Sequence, residues 1–212
     1  MRGIGLDVPR GTIDQLEAMV ETLAKWQKAI NLVSRSTLDD AWSRHVVDSA
    51  QVASHIPSDA RSLVDLGSGA GFPGLVLAAI RPDLDVTLIE SDARKAAYLG
   101  EAARRMGLAK PPRIVVGRIE TAPPANADVV TARALAPLGQ LLGWAAPHRS
   151  ARAICLFHKG KDWQAELTEA LADWEIDAQP LPSVTDRDGV LLRIDRYRPK
   201  DLRDRQPEGR RR

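Results

Sequence analysis

Long hydrophobic runs are missing from this chain, which nowhere approaches the roughly 18 consecutive apolar residues that a membrane-spanning helix requires. The N-terminus also lacks an apolar stretch ending in a small-residue cleavage site, so a cytoplasmic location is expected. Cysteine is nearly absent. Cys155 stands alone, which excludes an intramolecular disulfide and any zinc site built from several thiolates, and its apolar neighbours mark it as a core residue. The four histidines, His45, His55, His148 and His158, are scattered without H-x-x-x-H spacing, so no metal is expected.

An excess of one charge is missing too. Thirty basic residues face 28 acidic ones, for a formal net charge of +2. The distribution is uneven, because residues 196–212 hold eight Arg or Lys against three acids, leaving the rest of the chain net negative. A polyanion would be drawn to this end and to local basic patches; the alternative reading is a disordered, solubilising tail.

What remains is enough for one sizeable core: 212 residues, 44% of them hydrophobic. Ile13, Leu16, Val20, Leu23 and Ile30 recur at helical spacing and predict a helix over residues 12–32, capped by Thr12. A second helix is predicted from Thr37, as its cap, through Trp42, Val46, Val47 and Val52, ending at Pro57. The connection Asn31-Leu32-Val33-Ser34-Arg35 reads as a turn or as part of a binding surface.

Beyond Arg61 short apolar runs alternate with helical stretches, the pattern of a mostly parallel, twisted sheet with helices on both faces. Strands are predicted at 62–66, 85–90, 113–116, 128–131, 152–157 and 190–197, with a further one near 174–181. Helices are predicted at 73–81, 92–106, 137–146 and 162–173. This is a Rossmann-like α/β class, divided as a helical extension over residues 1–60, a core over 61–198 and a basic, disordered tail over 199–212. Trp26, Trp42, Trp144, Trp163 and Trp174 are read as core packing rather than base-stacking residues.

The chemistry concentrates after the first strand. Ser62-Leu-Val-Asp-Leu-Gly-Ser-Gly-Ala-Gly-Phe-Pro-Gly74 reads as a buried strand, a glycine turn and a helix start. Glycines at 67, 69 and 71 let backbone approach a ligand, and Asp65 is a candidate partner for a cationic ligand group, directly or through water. Glu90 closes the second strand, where a carboxylate can accept from both hydroxyls of a ribose. Gly69, Gly71 and Gly74 match G-x-G-x-x-G literally, so a nicotinamide-dependent oxidoreductase is one alternative, beside a methyltransferase of another substrate such as a small molecule or protein. The phase D-x-G-x-G-x-G, starting at the strand end with Asp65, favours S-adenosylmethionine instead. The fourth strand, Asp128-Val-Val-Thr-Ala-Arg133, lacks the D/N-P-P-Y arrangement used to grip exocyclic amines, and Cys155 lacks a Pro-Cys turn, which speaks against a carbon-attacking thiolate.

Several motifs in order resemble the RsmG/GidB family of bacterial 16S rRNA (guanine-N7)-methyltransferases. They are Asn31-Leu-Val-Ser34, Arg44-His-Val-Val-Asp-Ser49, the Asp65–Gly74 turn, Glu90-Ser91 with Lys95 and Leu99, Gly117-Arg-Ile-Glu120, Thr131-Ala-Arg-Ala134 and Lys159-Gly160. The resemblance implies a class I methyltransferase fold and S-adenosyl-L-methionine as cofactor. It implies cofactor contacts at Gly67, Phe72, Ile119, Glu120 and Arg133, to which the ribose argument adds Glu90. Ile119 stands where the family more often has alanine, and Ala50 where it often has leucine. The implied partner is 16S rRNA or the small ribosomal subunit, met by a monomer without membrane or metal. Guanine N7 carries a lone pair and no proton, so the implied displacement needs no general base, and no catalytic acid or base is assigned. His45 and Asp48 are candidates to line the pocket or to pair with each other, and Lys159 and Lys161 to contact RNA phosphate.

Overall fold

In a computed structural model that describes residues 5–200, one seven-stranded sheet carries the chain, with strand order β3-β2-β1-β4-β5-β7-β6. The strands are β1 (Ser62–Leu66), β2 (Asp85–Glu90), β3 (Arg113–Val116), β4 (Ala127–Arg133), β5 (Arg149–Lys159), β6 (Trp174–Pro182) and β7 (Val190–Pro199). The first five run parallel, and β7 inserts antiparallel between β5 and β6. Strand order reverses between β1 and β4, so a crevice opens at their carboxyl ends, where α/β sheets bind ligands.

Alternation along the strands builds two cores. Leu63, Val86, Leu88, Val129 and Leu156 face one side, against α1 (Arg10–Trp26), α4 (Gly74–Ile80) and α5 (Ala93–Met106). Val64, Leu66, Ile89, Val130 and Phe157 face the other, against α6 (Leu138–Ala145) and α7 (Trp163–Asp173). Cys155 lies wholly buried in this second core, where burial pushes its thiol up to about 12, so it stays an inert hydrophobe. Among the described residues no helix is long and apolar enough to cross a membrane.

The N-terminal helices depart from the periodicity. Thr12 does not cap α1: Pro9 holds the cap position, and its carbonyl accepts from the amides of Thr12 and Ile13 at 3.0 and 3.2 Å. The helix stops at Trp26 because Gln27 folds the chain back, its Oε1 accepting from the amides of Leu32 and Val33 at 2.9 and 3.1 Å while its Nε2 donates to the Val33 carbonyl. The second helix is broken. A short α2 (Arg35–Leu38) begins after Ser34, not at Thr37; a π-helical stretch (Trp42–Val47) comes next, then α3 (Asp48–Gln51) and a 3-10 turn to His55. The wider π turn re-aims the side chains beyond it, a device common at functional sites.

At the other end β7 runs to Pro199, with Arg198 and Arg196 facing Glu175 and Asp177 of β6 at 2.6 and 3.8 Å. Two cations assigned to the basic end thus stand in a strand opposite acids. The rest of that end, residues 201–212, lies outside the described residues.

Phe157 is fully buried in the core beneath α6 and α7. Phe157→Ala should cost about 3–5 kcal/mol through lost transfer energy and a residual cavity. Urea unfolding followed by circular dichroism is expected to give a lower midpoint with an unchanged slope.

Candidate functional site

The turn after β1 is held open from below. Gly67, Gly69 and Gly71 all take positive φ, at 61, 52 and 84°. At Gly67 a Cβ would also meet the end of the Leu135 side chain, 2.5 Å from its Cδ1, but it is the positive φ that calls for glycine. Glu90 ties the turn to the next strand: its Oε2 accepts from the Gly69 amide and its Oε1 from the Asp92 amide, both at 2.8 Å. Asp92 caps α5 through the amides of Arg94 and Lys95.

Asp65 does something other than meet a ligand. It is fully buried, accepts from Thr131 Oγ1 at 2.8 Å and from the Gly74 amide at 3.3 Å, and does not line the cavity above. Burial raises its carboxyl to about 6. A Cβ on Gly74 would collide with Leu88 and Asp65, so the glycine serves the seating of α4 on this carboxylate. Direct contact with a ligand is therefore corrected: Asp65 anchors the turn from behind and does not line the cavity.

Above the turn lies a cavity of about 400 Å³. The six predicted contacts, Gly67, Phe72, Glu90, Ile119, Glu120 and Arg133, all line it although they come from four separate segments. Ile119 opens a 3-10 turn whose carbonyl meets His148 Nε2 at 3.0 Å, and Glu120 stands exposed beside it. Leu32 and Val33, held by Gln27, line the cavity from the N-terminal side.

A second cavity of about 490 Å³ adjoins the first and shares Arg133, Ala134 and Leu135 with it. Arg133, at the end of β4, is fixed from the N-terminal helices. Its Nη1 donates to Asp48 Oδ2 at 3.1 Å and to the Arg44 carbonyl at 3.4 Å, and its Nη2 meets His45 Nδ1 at 2.7 Å. The guanidinium also stands 5.2 Å from the centre of the Phe72 ring. An arginine has only donors, so His45 Nδ1 must accept; its Nε2 then donates to Thr37 Oγ1 at 3.0 Å. Burial first, and then the Arg133 charge, lower His45 to about 4, which keeps it in the required neutral form. His45 and Asp48 do not bond each other: they flank the same guanidinium.

With this geometry in view, comparison with known proteins is specific. A family model described as GidB, rRNA small subunit methyltransferase G, matches residues 12–188. The chain belongs to the GidB family. It is 50% identical to ribosomal RNA small subunit methyltransferase G of Paramagnetospirillum magneticum, over 88% of this chain and 90% of that one. It is also 50% identical to the protein of that name from Rhodospirillum centenum, over 92% of this chain and 89% of the relative. Among solved structures, M. jannaschii TYW2 in complex with AdoMet superposes with a TM-score of 0.58 at 14% identity, covering 80% of this chain and 78% of that one. Membership of a methyltransferase family sets aside the nicotinamide alternative that the glycine spacing had kept open.

Within the GidB chain one further expectation changes. Lys159 is no phosphate ligand: its ammonium pairs with Glu166 and donates to the Ala136 carbonyl at 2.8 Å, and its side chain is 7% exposed. Glu166 also accepts from the Leu138 amide, so this pair pins the start of α6. Lys161 is exposed. Trp26, Trp42, Trp144, Trp163 and Trp174 pack on the two cores as expected, and Trp144 also lines the first cavity. Sequence reasoning did not assign Ser68, Lys95 or Trp144 to the cavity; Lys95 was visible only as part of a family motif.

The neutral state of His45 couples stability to pH. As pH falls from 6.5 towards 4 the unfolded imidazole takes a proton before the native one, which faces Arg133, Asp48 and Arg44, and the native state loses stability. Asp65 acts in the opposite sense below about 6, because it is protonated first in the native state. His45→Gln retains an acceptor for Arg133 and a donor for Thr37 but does not titrate. Between pH 7 and 5 it should lose about 1–2 kcal/mol less than the wild type, allowing for solvent screening. Parallel urea midpoints for the two proteins would contradict this.

Proposed function

We propose that this protein transfers the methyl group of S-adenosylmethionine to N7 of a guanine in small-subunit (16S) rRNA. The observation that carries the reading is a pair of adjoining cavities with Arg133 in their common wall, the first built on the glycine turn and Glu90, in a chain of the GidB family.

The first cavity fits the cofactor. Each Glu90 oxygen spends one acceptor site on a backbone amide, which leaves another for a ribose hydroxyl. Ile119 and the half-buried Trp144 give apolar surface for an adenine ring, and Lys95 and Glu120 stand at its edge. When bound, S-adenosylmethionine supplies an electrophilic methyl on a positively charged sulfur. The chain contributes position. Gly67 gives backbone access at the turn, and Phe72 and Arg133 close the cavity on the side of the second one.

With the cofactor held by Gly67, Glu90 and Ile119, its methyl would be open to the lone pair of guanine N7, and the positive charge of the sulfonium would pass to the base. No proton moves, so neither a general base nor a metal is needed, and the enzyme's task is alignment in a water-poor site. We take the protein to act as a monomer, and the rRNA substrate argues for the cytoplasm.

Small subunits lacking the modification, incubated with tritiated cofactor, should gain label in N7-methylguanine; active preparations that label no guanine would overturn the reading. Glu90→Ala should weaken cofactor binding in calorimetry at least tenfold, in line with about 1.5–3 kcal/mol for a hydrogen bond to a charged group.

A further inference from the structure

N7 alone does not fix the purine. Guanine and adenine both carry a bare lone pair there, and although guanine's is the more nucleophilic, the lone pair alone does not exclude adenine, so the choice is sharpened by contacts elsewhere on the ring. On the opposite edge guanine offers two donors, N1–H and the N2 amino group, where adenine has an acceptor at N1. A carboxylate, which only accepts, pairs with the first edge and repels the second.

The second cavity contains three acids, and two are committed. Asp48 accepts from Arg133, and its Oδ1 from Ser183 and Thr185 at 3.2 and 2.9 Å. Glu166 pairs with Lys159 and accepts from the Leu138 amide. Asp186 is the third, exposed on the loop between β6 and β7. Its Oδ1 accepts from the Asp188 amide at 3.1 Å, while its Oδ2 has neither a donor nor an ion-pair partner among the described residues.

The loop that presents this carboxylate is pinned. Gln51 donates to the Pro182 carbonyl at 2.7 Å and accepts from the Val184 amide at 3.0 Å. Ser183 and Thr185 hold Asp48, and the Asp186 amide donates to Ser183 Oγ at 3.1 Å. The bonds that fix Arg133 and those that fix the loop therefore meet on one carboxylate, Asp48. Asp186 lines the second cavity only, whereas Arg133 lines the wall common to both.

We propose that the second cavity receives the target guanine, swung out of the RNA stack, and that Asp186 selects it by accepting from N1–H and the N2 amino group. The proposal rests on the methyl-transfer reading above and names the base-reading residue of that same site. O6 neighbours N7, so its donor has to stand where the cavities meet; Arg133 stands there, with three of its five N–H donors used within the protein. Bases taken out of the stack are read in this way, by hydrogen bonds to the pairing edge. A cavity of about 490 Å³ has room for a purine.

The test uses the full chain and small subunits lacking the modification, reconstituted with guanosine or inosine at the position where the wild-type protein places the labelled methyl group. Inosine keeps O6 and N1–H but lacks the N2 amino group. Wild-type kcat/KM should fall at least tenfold on inosine. Asp186→Ala should lower kcat/KM on guanine at least tenfold, treat guanine and inosine alike within twofold, and bind the cofactor within twofold of wild type. Asp186→Asn, which keeps the side-chain volume, should lose the same discrimination. If either variant prefers guanine over inosine as strongly as the wild type does, the assignment of Asp186 is overturned while the methyl-transfer reading stands. A wild-type protein that forms no N7-methylguanine removes both.

Discussion

The ion pair between Asp48 and Arg133 is the constraint on which the site depends. It joins the end of β4 to a helical segment far away in sequence, with side chains only 12 and 17% exposed. Removing one partner from such a pair leaves a charge in a place that solvates it poorly, at a cost of about 3–5 kcal/mol when burial is complete. Here the pair does more than stabilise. Asp48 also accepts from Ser183 and Thr185, so one carboxylate sets both the wall between the cavities and the loop across from it. His45 completes the arrangement, held neutral by burial so that it can accept from the guanidinium it faces.

This makes the N-terminal helices part of the site. They bring Leu32 and Val33 to the first cavity, Asp48 to the second, and Gln51 to the loop between β6 and β7. The sheet supplies the other half: Glu90 and the glycine turn at the ends of β2 and β1, and Arg133 at the end of β4. In a reaction that moves no proton, orientation is the main thing a protein can add. The density of side-chain to backbone bonds around Glu90, Asp48 and Gln51 is what such a task requires.

The sheet was legible in the sequence because buried strands between helices declare themselves through apolar runs bounded by turn residues; β1, β2 and β3 occupy the predicted residues without change. Glu90 and the glycine turn were legible for the same reason, since the end of a buried strand fixes where the next turn begins. Direct contact by Asp65 was not borne out because sequence gives the position of a carboxylate but not its direction. In the sheet it faces the core with α4, where Thr131 and the Gly74 amide take its oxygens. Lys159 was misread because its partner, Glu166, arrives from the next helix. The break in the second helix was not read, since the segment is short and its apolar residues Trp42, Val46 and Val47 fit a single helical face as well as a broken one. The six cavity residues were named, but their gathering around one space, beside a second one, belongs to the fold alone.

A crystal structure of the protein with S-adenosylhomocysteine addresses the central claim most directly. The account predicts the ribose hydroxyls on the Glu90 carboxylate, and the sulfur turned towards the wall that holds Arg133 and Ala134. A ligand seated away from Glu90, or with its sulfur pointing away from the second cavity, would contradict it.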